Sequence, residues 1–208
     1  QRRDIPKYHE DVTTYEVQNV EGKHIGVFYA DFFPRQSKKN GAWMTTYKEQ
    51  RSTLSENIRP HVSIVCNFTK PTESLPSLLT LNEVKTLFHE FGHALHNLLS
   101  ECRFQGLSGS NVFWDFVELP SQILENWVME SECLDLFANH YETGEKIPKK
   151  LIQKIKDSSN FQEGLATLRQ MKFSLIDMAW HSGDTSKVKS VIEFENDAAS
   201  VARITDAV

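Results

Sequence analysis

The chain has 208 residues, which is enough for one or two domains with a substantial buried core. Charged residues make up 25% and apolar residues 39%, an ordinary globular composition that argues against a disordered or fibrous chain. The net charge of −5 argues against a nucleic-acid partner held by phosphate contacts, and no apolar run is long enough to cross a bilayer. We therefore expect neither a nucleic acid nor a membrane among its partners.

The cysteines are odd in number, widely spaced and without a C-x-x-C pair: Cys66, Cys102 and Cys133. This pattern argues against a disulfide framework and against a cysteine-type zinc site. It is typical of a reducing compartment, so we expect a cytoplasmic protein. The chain begins at Gln1 without a signal segment, which indicates a piece of a longer protein.

Residues 1–75 are predicted to form a small β-rich part with an antiparallel-type sheet. Thr13–Gln18 and Ile25–Phe33 are rich in β-branched and aromatic residues, and the turn-forming residues 19–23 between them predict a hairpin. Val62–Phe68 is a third predicted strand. It fits an interior position in the sheet, or an edge position where an extended peptide could pair with it.

Residues 76–208 are predicted to be helical, which makes the fold class α+β and mostly helical. Thr80 and Glu83 form a capping box before a helix over residues 81–100, where apolar residues recur at helical spacing. Further helical patterns follow at residues 112–140, 148–156, 161–181 and 187–202. Pro120, inside the first of these patterns, fits a first turn or a kink.

The helix over residues 81–100 contains His89-Glu90-x-x-His93. At 3.6 residues per turn, positions i and i+4 share one helix face, so the two imidazoles can bind one metal ion with Glu90 beside them. Gly92 costs this helix about 1 kcal/mol relative to alanine. We therefore expect a close neighbour at Gly92, either a segment pressed against the metal site or a tightly packed helix.

An open catalytic zinc site needs three protein ligands. The metzincin spacing H-x-x-G-x-x-H is absent, because position 96 is His and position 99 is Leu. Glu118, 25 positions after His93, is an acid flanked by apolar residues near a helix start, where a buried carboxylate would need a partner such as a metal. The set of His89, His93 and Glu118 therefore predicts a gluzincin-type site with one zinc ion per chain.

Three further residues lie near this predicted site. Glu125 is a candidate to hydrogen-bond a zinc-ligating histidine, and a surface acid is the alternative. Asp115 is a second candidate for that position, and helix capping is its alternative. His96 would be a fourth ligand that closes the site to water, so we expect it to pack or to face solvent.

Phe88–His96 and Asp115–Gln122 together resemble the thimet oligopeptidase, oligopeptidase A and peptidyl-dipeptidase family of zinc metallopeptidases. The similarity extends to the segments Asn67–Pro71, Leu107–Val112 and Leu124–Trp127. The resemblance implies a zincin-like core that hydrolyses short peptides inside a channel between two largely helical halves. It also implies that His89, His93 and Glu118 bind zinc and that Glu90 is the general base for a zinc-activated water.

The family further suggests that the loop containing Gly106, Gly109 and Ser110 is flexible and contacts substrate. A simple connection between helices is the alternative for this loop.

The resemblance also implies a distal segment rich in tyrosine and glycine, with a histidine, that stabilises the tetrahedral intermediate. Residues 181–208 hold no such segment. We therefore expect the chain to be the zinc-binding core of a larger peptidase, with the rest of that protein as a partner, and to bind zinc but cleave peptides poorly alone. The alternatives are a non-catalytic zinc- and peptide-binding module, which the intact Glu90 argues against, and a structural metal, which an open three-ligand site does not favour.

Overall fold

The computed structural model describes residues 1–203. The chain divides into two compact units, one over Gln1–Ile147 and one that begins at Pro148. In the described part no helix has both the length and the apolar character needed to span a membrane. The change from strands to helices expected near residue 75 falls inside the first unit and does not coincide with the boundary between the units. Residues 204–208 of the predicted helical part lie outside the described residues.

The first unit contains a four-stranded sheet in the order β1-β2-β6-β3 and a separate two-stranded ribbon of β4 and β5. The strands are β1 (Thr13–Gln18), β2 (His24–Asp31), β3 (Trp43–Lys48), β4 (Arg51–Ser52), β5 (Asn57–Ile58) and β6 (His61–Val65). β1 and β2 form the predicted antiparallel hairpin. The prediction of an antiparallel-type sheet holds for the pairs β1–β2 and β3–β6 but is wrong for β2–β6, which pair in parallel, so the sheet is mixed. The long connection between β2 and β6 reverses direction through β3, so the chain enters β6 in the same direction as β2.

β3 has no counterpart among the predicted strands. It is one of the two edge strands of the sheet, with β1 at the other edge, and its residues are half-buried or exposed without a clear alternation, so it lacks the period-2 pattern of a half-buried strand. β6 occupies an interior position between β2 and β3, which excludes the alternative of peptide pairing along β6. The edge available for pairing on this side of the sheet therefore belongs to β3.

The main core lies between one face of the sheet and helix α1 (Leu81–Leu98). Its buried side chains come from β2, β6, the residues after β6, and α1: Phe28, Ala30, Val62, Ile64, Cys66, Phe68, Ala94 and Leu98. The predicted capping box is present, since the Thr80 side chain accepts from the Glu83 N–H and the Glu83 carboxylate accepts from the Thr80 N–H at 2.7 Å. α1 is thus held across the sheet by its apolar face, and the His-Glu-x-x-His motif lies at its centre.

The predicted helix over residues 112–140 is not continuous. It is divided into α2 (Trp114–Val117), α3 (Leu119–Glu125), a 3-10 turn (Asn126–Met129) and α4 (Ser131–Phe137). Pro120 lies in the first turn of α3, where its missing N–H costs nothing, whereas in a continuous helix its ring would clash with the carbonyl of Phe116. Glu130, with φ −78° and ψ 133°, makes the second break. Glu118 consequently lies at the junction of α2 and α3.

The second unit contains α5 (Lys149–Ser159), α6 (Glu163–Ser182) and α7 (Val191–Ala198). The predicted helices are found with shifted ends, and the pattern over residues 187–202 corresponds to α7 with a 3-10 turn on either side. Pro148 is the residue before α5 rather than its first helical residue. α6 contacts α7 through Trp180, whose ring centroid lies 4.6 Å from that of Phe194.

Arg59 joins the C-terminus of α1 to the sheet. The last carbonyls of a helix have no partner within the helix and carry partial negative charge. The Arg59 guanidinium donates to the carbonyls of Leu98 at 2.6 Å, Ser100 at 2.9 Å and Ile25 at 2.7 Å. One side chain therefore caps α1 and fixes it against the start of β2.

Replacing Arg59 with methionine should destabilise the chain without changing its charged surface elsewhere. The change leaves three carbonyls without their charged donor, so we expect the free energy of unfolding to fall by about 2–3 kcal/mol. Urea denaturation followed by circular dichroism measures this loss. Arg51→Met, at an exposed position on β4, is the matched control and should change stability by less than about 0.5 kcal/mol. Equal stabilities of the two variants would contradict the capping role of Arg59.

Candidate metal centre

The two histidines of the motif point from one face of α1 into a common space. Their ring centroids lie 5.0 Å apart with an angle of 83° between the ring planes. Glu118 reaches the same space from the α2–α3 junction, with its Oε2 atom 3.3 Å from His89 Nε2 and 3.2 Å from His93 Nε2. The potential ligand atoms of these three residues all lie within 4.8 Å of one another. The structure thus brings the three predicted ligands together.

The spacing of these atoms fits a zinc ion. Zinc binds histidine nitrogen and carboxylate oxygen at about 2.0–2.2 Å in tetrahedral geometry, which puts neighbouring ligand atoms about 3.3–3.5 Å apart. The distances of 3.2 Å and 3.3 Å from the Glu118 oxygen to the two histidine nitrogens are close to this value. Two imidazoles and one carboxylate also form the donor set of catalytic zinc sites that keep a fourth position open.

Gly92 explains how Glu118 comes so close to the histidines. A Cβ atom at position 92 would lie 2.4 Å from the Pro120 carbonyl oxygen and 2.5 Å from Ser121 Cα. The first turn of α3 therefore rests directly on the backbone of α1, between the turns that carry His89 and His93. Two explanations were open for Gly92, a segment pressed against the metal site and a tightly packed helix. Helix α3 fits both, because it packs tightly on α1 and also adjoins the ligand set.

Hydrogen bonding rather than burial holds the Glu118 carboxylate. Its side chain is 48% exposed, so the expectation of a buried carboxylate was wrong. The Ser121 hydroxyl donates to Glu118 Oε2 at 2.8 Å and also lies 2.8 Å from the Glu118 carbonyl oxygen. The Ser121 hydrogen bond, followed by the nearby His93 and His89, holds the pKa of the Glu118 carboxyl below its ordinary value. Glu118 is therefore an anion at neutral pH.

Glu125 and Asp115 were the two candidates to hydrogen-bond a ligand histidine, and only Glu125 lies within hydrogen-bonding distance of one. Glu125 Oε1 lies 2.7 Å from His89 Nδ1. A neutral His89 that donates from Nδ1 has its lone pair on Nε2, which faces the metal space. Asp115 is exposed in the first turn of α2. Within the described part of the chain it forms no hydrogen bond with His89 or His93. His96 packs its ring against Phe116, with centroids 6.1 Å apart, and lies outside the ligand cluster.

Glu90 is 7% exposed and lies on the side of α1 that faces the sheet. Burial raises the pKa of its carboxyl, and the nearby Glu118 adds to that rise, whereas His89 and a backbone hydrogen bond from Met44 oppose it. Glu90, His89 and Glu125 share a pocket of about 250 Å³. A carboxylate with a raised pKa beside such a space suits proton transfer.

The loop predicted to contact substrate is anchored at Gly109 and Ser110 and exposed at Gly106. Gly109 is buried, has φ +55° and donates its N–H to the Ser100 hydroxyl at 3.0 Å. The Ser110 N–H lies 3.3 Å from Asn97 Oδ1. Gly106 is exposed, with open space around its Cα. Contact of these residues with a substrate stays a prediction.

Asn97 and Met44 lie close to the site but were not among the predicted site residues. Asn97 is four residues after His93 and therefore on the same face of α1, which was the one sequence signal for it. Met44 contributes through its backbone, which leaves no signal in the residue type. Its strand was itself not predicted.

The sequence model for peptidase family M3 matches residues 1–203. The chain belongs to this family. Dipeptidyl carboxypeptidase of Salmonella typhimurium is 42% identical over 205 residues, which are 98% of this chain and 30% of that protein. Oligopeptidase A of Escherichia coli is 42% identical over 184 residues, which are 88% of this chain and 27% of that protein. The chain thus spans less than a third of the length of these M3 relatives.

Gly92→Ala should weaken zinc binding even though alanine is the better helix former by about 1 kcal/mol. The new methyl group must displace the first turn of α3, and with it Glu118, so we expect the zinc dissociation constant to rise at least about 10-fold. Competition with a chromophoric chelator measures this constant. Gly164→Ala in α6 is the matched control, because a Cβ there meets nothing within 4 Å. Parental zinc affinity in Gly92→Ala would contradict the proposed cause of the close approach.

Proposed function

We propose that this chain carries the zinc-dependent, peptide-hydrolysing centre of a larger metallopeptidase of the gluzincin type, built on a zincin-like core. The observation that carries the proposal is the convergence of His89, His93 and Glu118 at zinc-ligand spacing with the buried Glu90 beside them. The family membership supports peptide hydrolysis, and the relatives named oligopeptidase A and dipeptidyl carboxypeptidase support short peptides as substrates. The rest of the full-length protein is the partner that completes the enzyme.

In this proposal His89, His93 and Glu118 hold one zinc ion. Glu125 orients His89 through Nδ1, and Ser121 orients the Glu118 carboxylate. When bound, zinc supplies Lewis-acid polarisation of the scissile carbonyl and lowers the pKa of its water toward about 7. The half-exposed position of Glu118 leaves room for substrate on the open side of the ligand set.

Glu90 acts as the general base. Its carboxylate accepts a proton from the attacking water and then passes it to the nitrogen of the leaving amine. Burial raises the pKa of this carboxyl, which makes its protonated form less costly during the transfer. Gly106, Gly109 and Ser110 are proposed to line the path of the substrate, and Asp115 has no role at the histidines in this scheme.

A non-catalytic zinc- and peptide-binding module is the competing function. It requires the three ligands but not a buried carboxylate next to them, so the position of Glu90 favours the enzyme. A cytoplasmic location, and poor cleavage by the 208-residue chain alone, remain part of the proposal.

Metal analysis of Glu118→Ala and activity of Glu90→Gln together test the function. Protein purified without chelator should hold one zinc per chain, and Glu118→Ala should lose most of it, whereas Glu132→Ala on the exposed surface of α4 should not. In the full-length enzyme, Glu90→Gln should retain zinc and lower kcat on short peptides by about 10²–10⁴-fold, because it removes the proton acceptor. Full zinc in Glu118→Ala would refute the ligand set. Parental kcat in Glu90→Gln would refute Glu90 as the general base, and a zinc-loaded full-length parent that cleaves no peptide would leave the binding module.

Zinc affinity should also depend on pH in a defined direction. A histidine must be neutral to ligate. Burial lowers the pKa of His93 below its ordinary value of 6.5, so His93 is neutral at pH 7 and gains a proton only as the pH falls through its lowered pKa. We expect the apparent zinc affinity to stay nearly constant from about pH 8 to pH 7 and to fall at more acidic pH, as measured by chelator competition. Tighter zinc binding on acidification would contradict His93 as a ligand.

A further inference from the structure

Asn97 joins three separate segments around the metal centre. It is 4% exposed and lies one helical turn after His93. Its Nδ2 donates to the His93 carbonyl at 2.9 Å, and its Oδ1 lies 3.3 Å from the Thr46 hydroxyl on β3 and 3.3 Å from the Ser110 N–H. A single amide side chain therefore contacts α1, the edge strand and the glycine-containing loop.

The contact with the loop is tight as well as polar. A Cβ atom at Gly109 would lie 2.1 Å from Asn97 Oδ1 and 2.6 Å from Asn97 Cγ. Gly109 also has φ +55°, which favours glycine independently of this crowding. The loop thus fits closely over the Asn97 amide, and the next residue, Ser110, donates its N–H to the Asn97 oxygen.

The strand that Asn97 contacts, β3, also contacts Glu90. Thr46 and Met44 lie two residues apart on β3, so both point their side chains to the same face of the sheet. The Met44 sulfur lies 3.8 Å from Asn97 Nδ2, and the Met44 backbone donates a hydrogen bond to the buried Glu90 carboxylate. A shift of β3 relative to α1 would therefore change the environment of Glu90 without moving any of the three ligand side chains.

We propose that Asn97 is a positioning residue that fixes the edge strand and the Gly109–Ser110 turn against the His93 turn of α1. In doing so it sets the position of Glu90 relative to the reacting water, and of the loop relative to the substrate. The inference rests on the proposed function, because it assigns Asn97 a role in the same reaction.

The test uses the full-length enzyme with Asn97→Leu, which keeps the branching of the side chain without its hydrogen bonds, and Thr46→Val, which removes only the bond from β3. We expect Asn97→Leu to keep one zinc per chain and to lower kcat about 10-fold or more, since small displacements of catalytic groups cost rate rather than substrate binding. Thr46→Val should lower kcat by about 3-fold and have no further effect in the Asn97→Leu background, because the two residues act through one contact.

Val12→Ala is the control for lost stability. Val12 is buried in a separate cluster with Val27 and Tyr29 that contains no residue of α1 or β3, so the change should lower the melting temperature and keep the parental kcat at temperatures where the enzyme is folded. A destabilising effect alone would make Asn97→Leu behave like this control.

A folded, zinc-loaded Asn97→Leu enzyme with kcat within about twofold of the parent would overturn the inference, and so would additive effects of the two substitutions. If Asn97→Leu does not fold, Thr46→Val decides: a lowered kcat at full zinc content supports the inference, and an unchanged kcat overturns it. Failure of the proposed function has a different signature, namely a parent without zinc or a Glu90→Gln variant with the parental kcat.

Discussion

The approach of α3 to the backbone of α1 at Gly92 is the contact on which the candidate metal centre depends. Two constraints meet there. The apolar face of α1 is fixed on the sheet by the core around Val62 and Ile64, so the helix cannot move away from α3. The first turn of α3 comes within 2.5 Å of where a Cβ would lie, so only glycine fits. Because Glu118 immediately precedes that turn, its carboxylate is delivered to both histidines by backbone packing.

Side-chain hydrogen bonds then orient the groups that this packing brings together. Ser121 orients Glu118, Glu125 orients His89, and the His93 carbonyl accepts from Asn97. Glu125 lies on a different helix from His89, and Asn97 also contacts Thr46 on β3, whereas Ser121 lies one turn after Glu118. The arrangement therefore depends on the relative placement of α1, α3 and β3, and a shift of any one of them should be felt at the metal centre.

The sequence predicted those parts of the fold and site that are encoded locally. The capping box at Thr80, the helical face that carries His89 and His93, and the β1–β2 hairpin all follow from spacing within a few residues. The parallel pairing of β2 with β6 and the edge strand β3 depend on contacts between distant residues, and β3 has no clean alternation to reveal it. Glu118 was found by its residue type and surroundings, although the burial expected for it is absent.

The two carboxylates beside the metal space have opposite environments, which suits the two different roles proposed for them. Glu90 is buried, which raises its pKa, whereas Glu118 is half-exposed and accepts from Ser121, which lowers its pKa. A ligand should remain an anion as the pH falls, and a general base must gain and release a proton during each turnover. Environments that push the pKa values of neighbouring groups apart separate such roles. The same pair of shifts argues against exchanging them, because the lowered pKa makes Glu118 the poorer proton acceptor and the raised pKa makes Glu90 the less persistent anion.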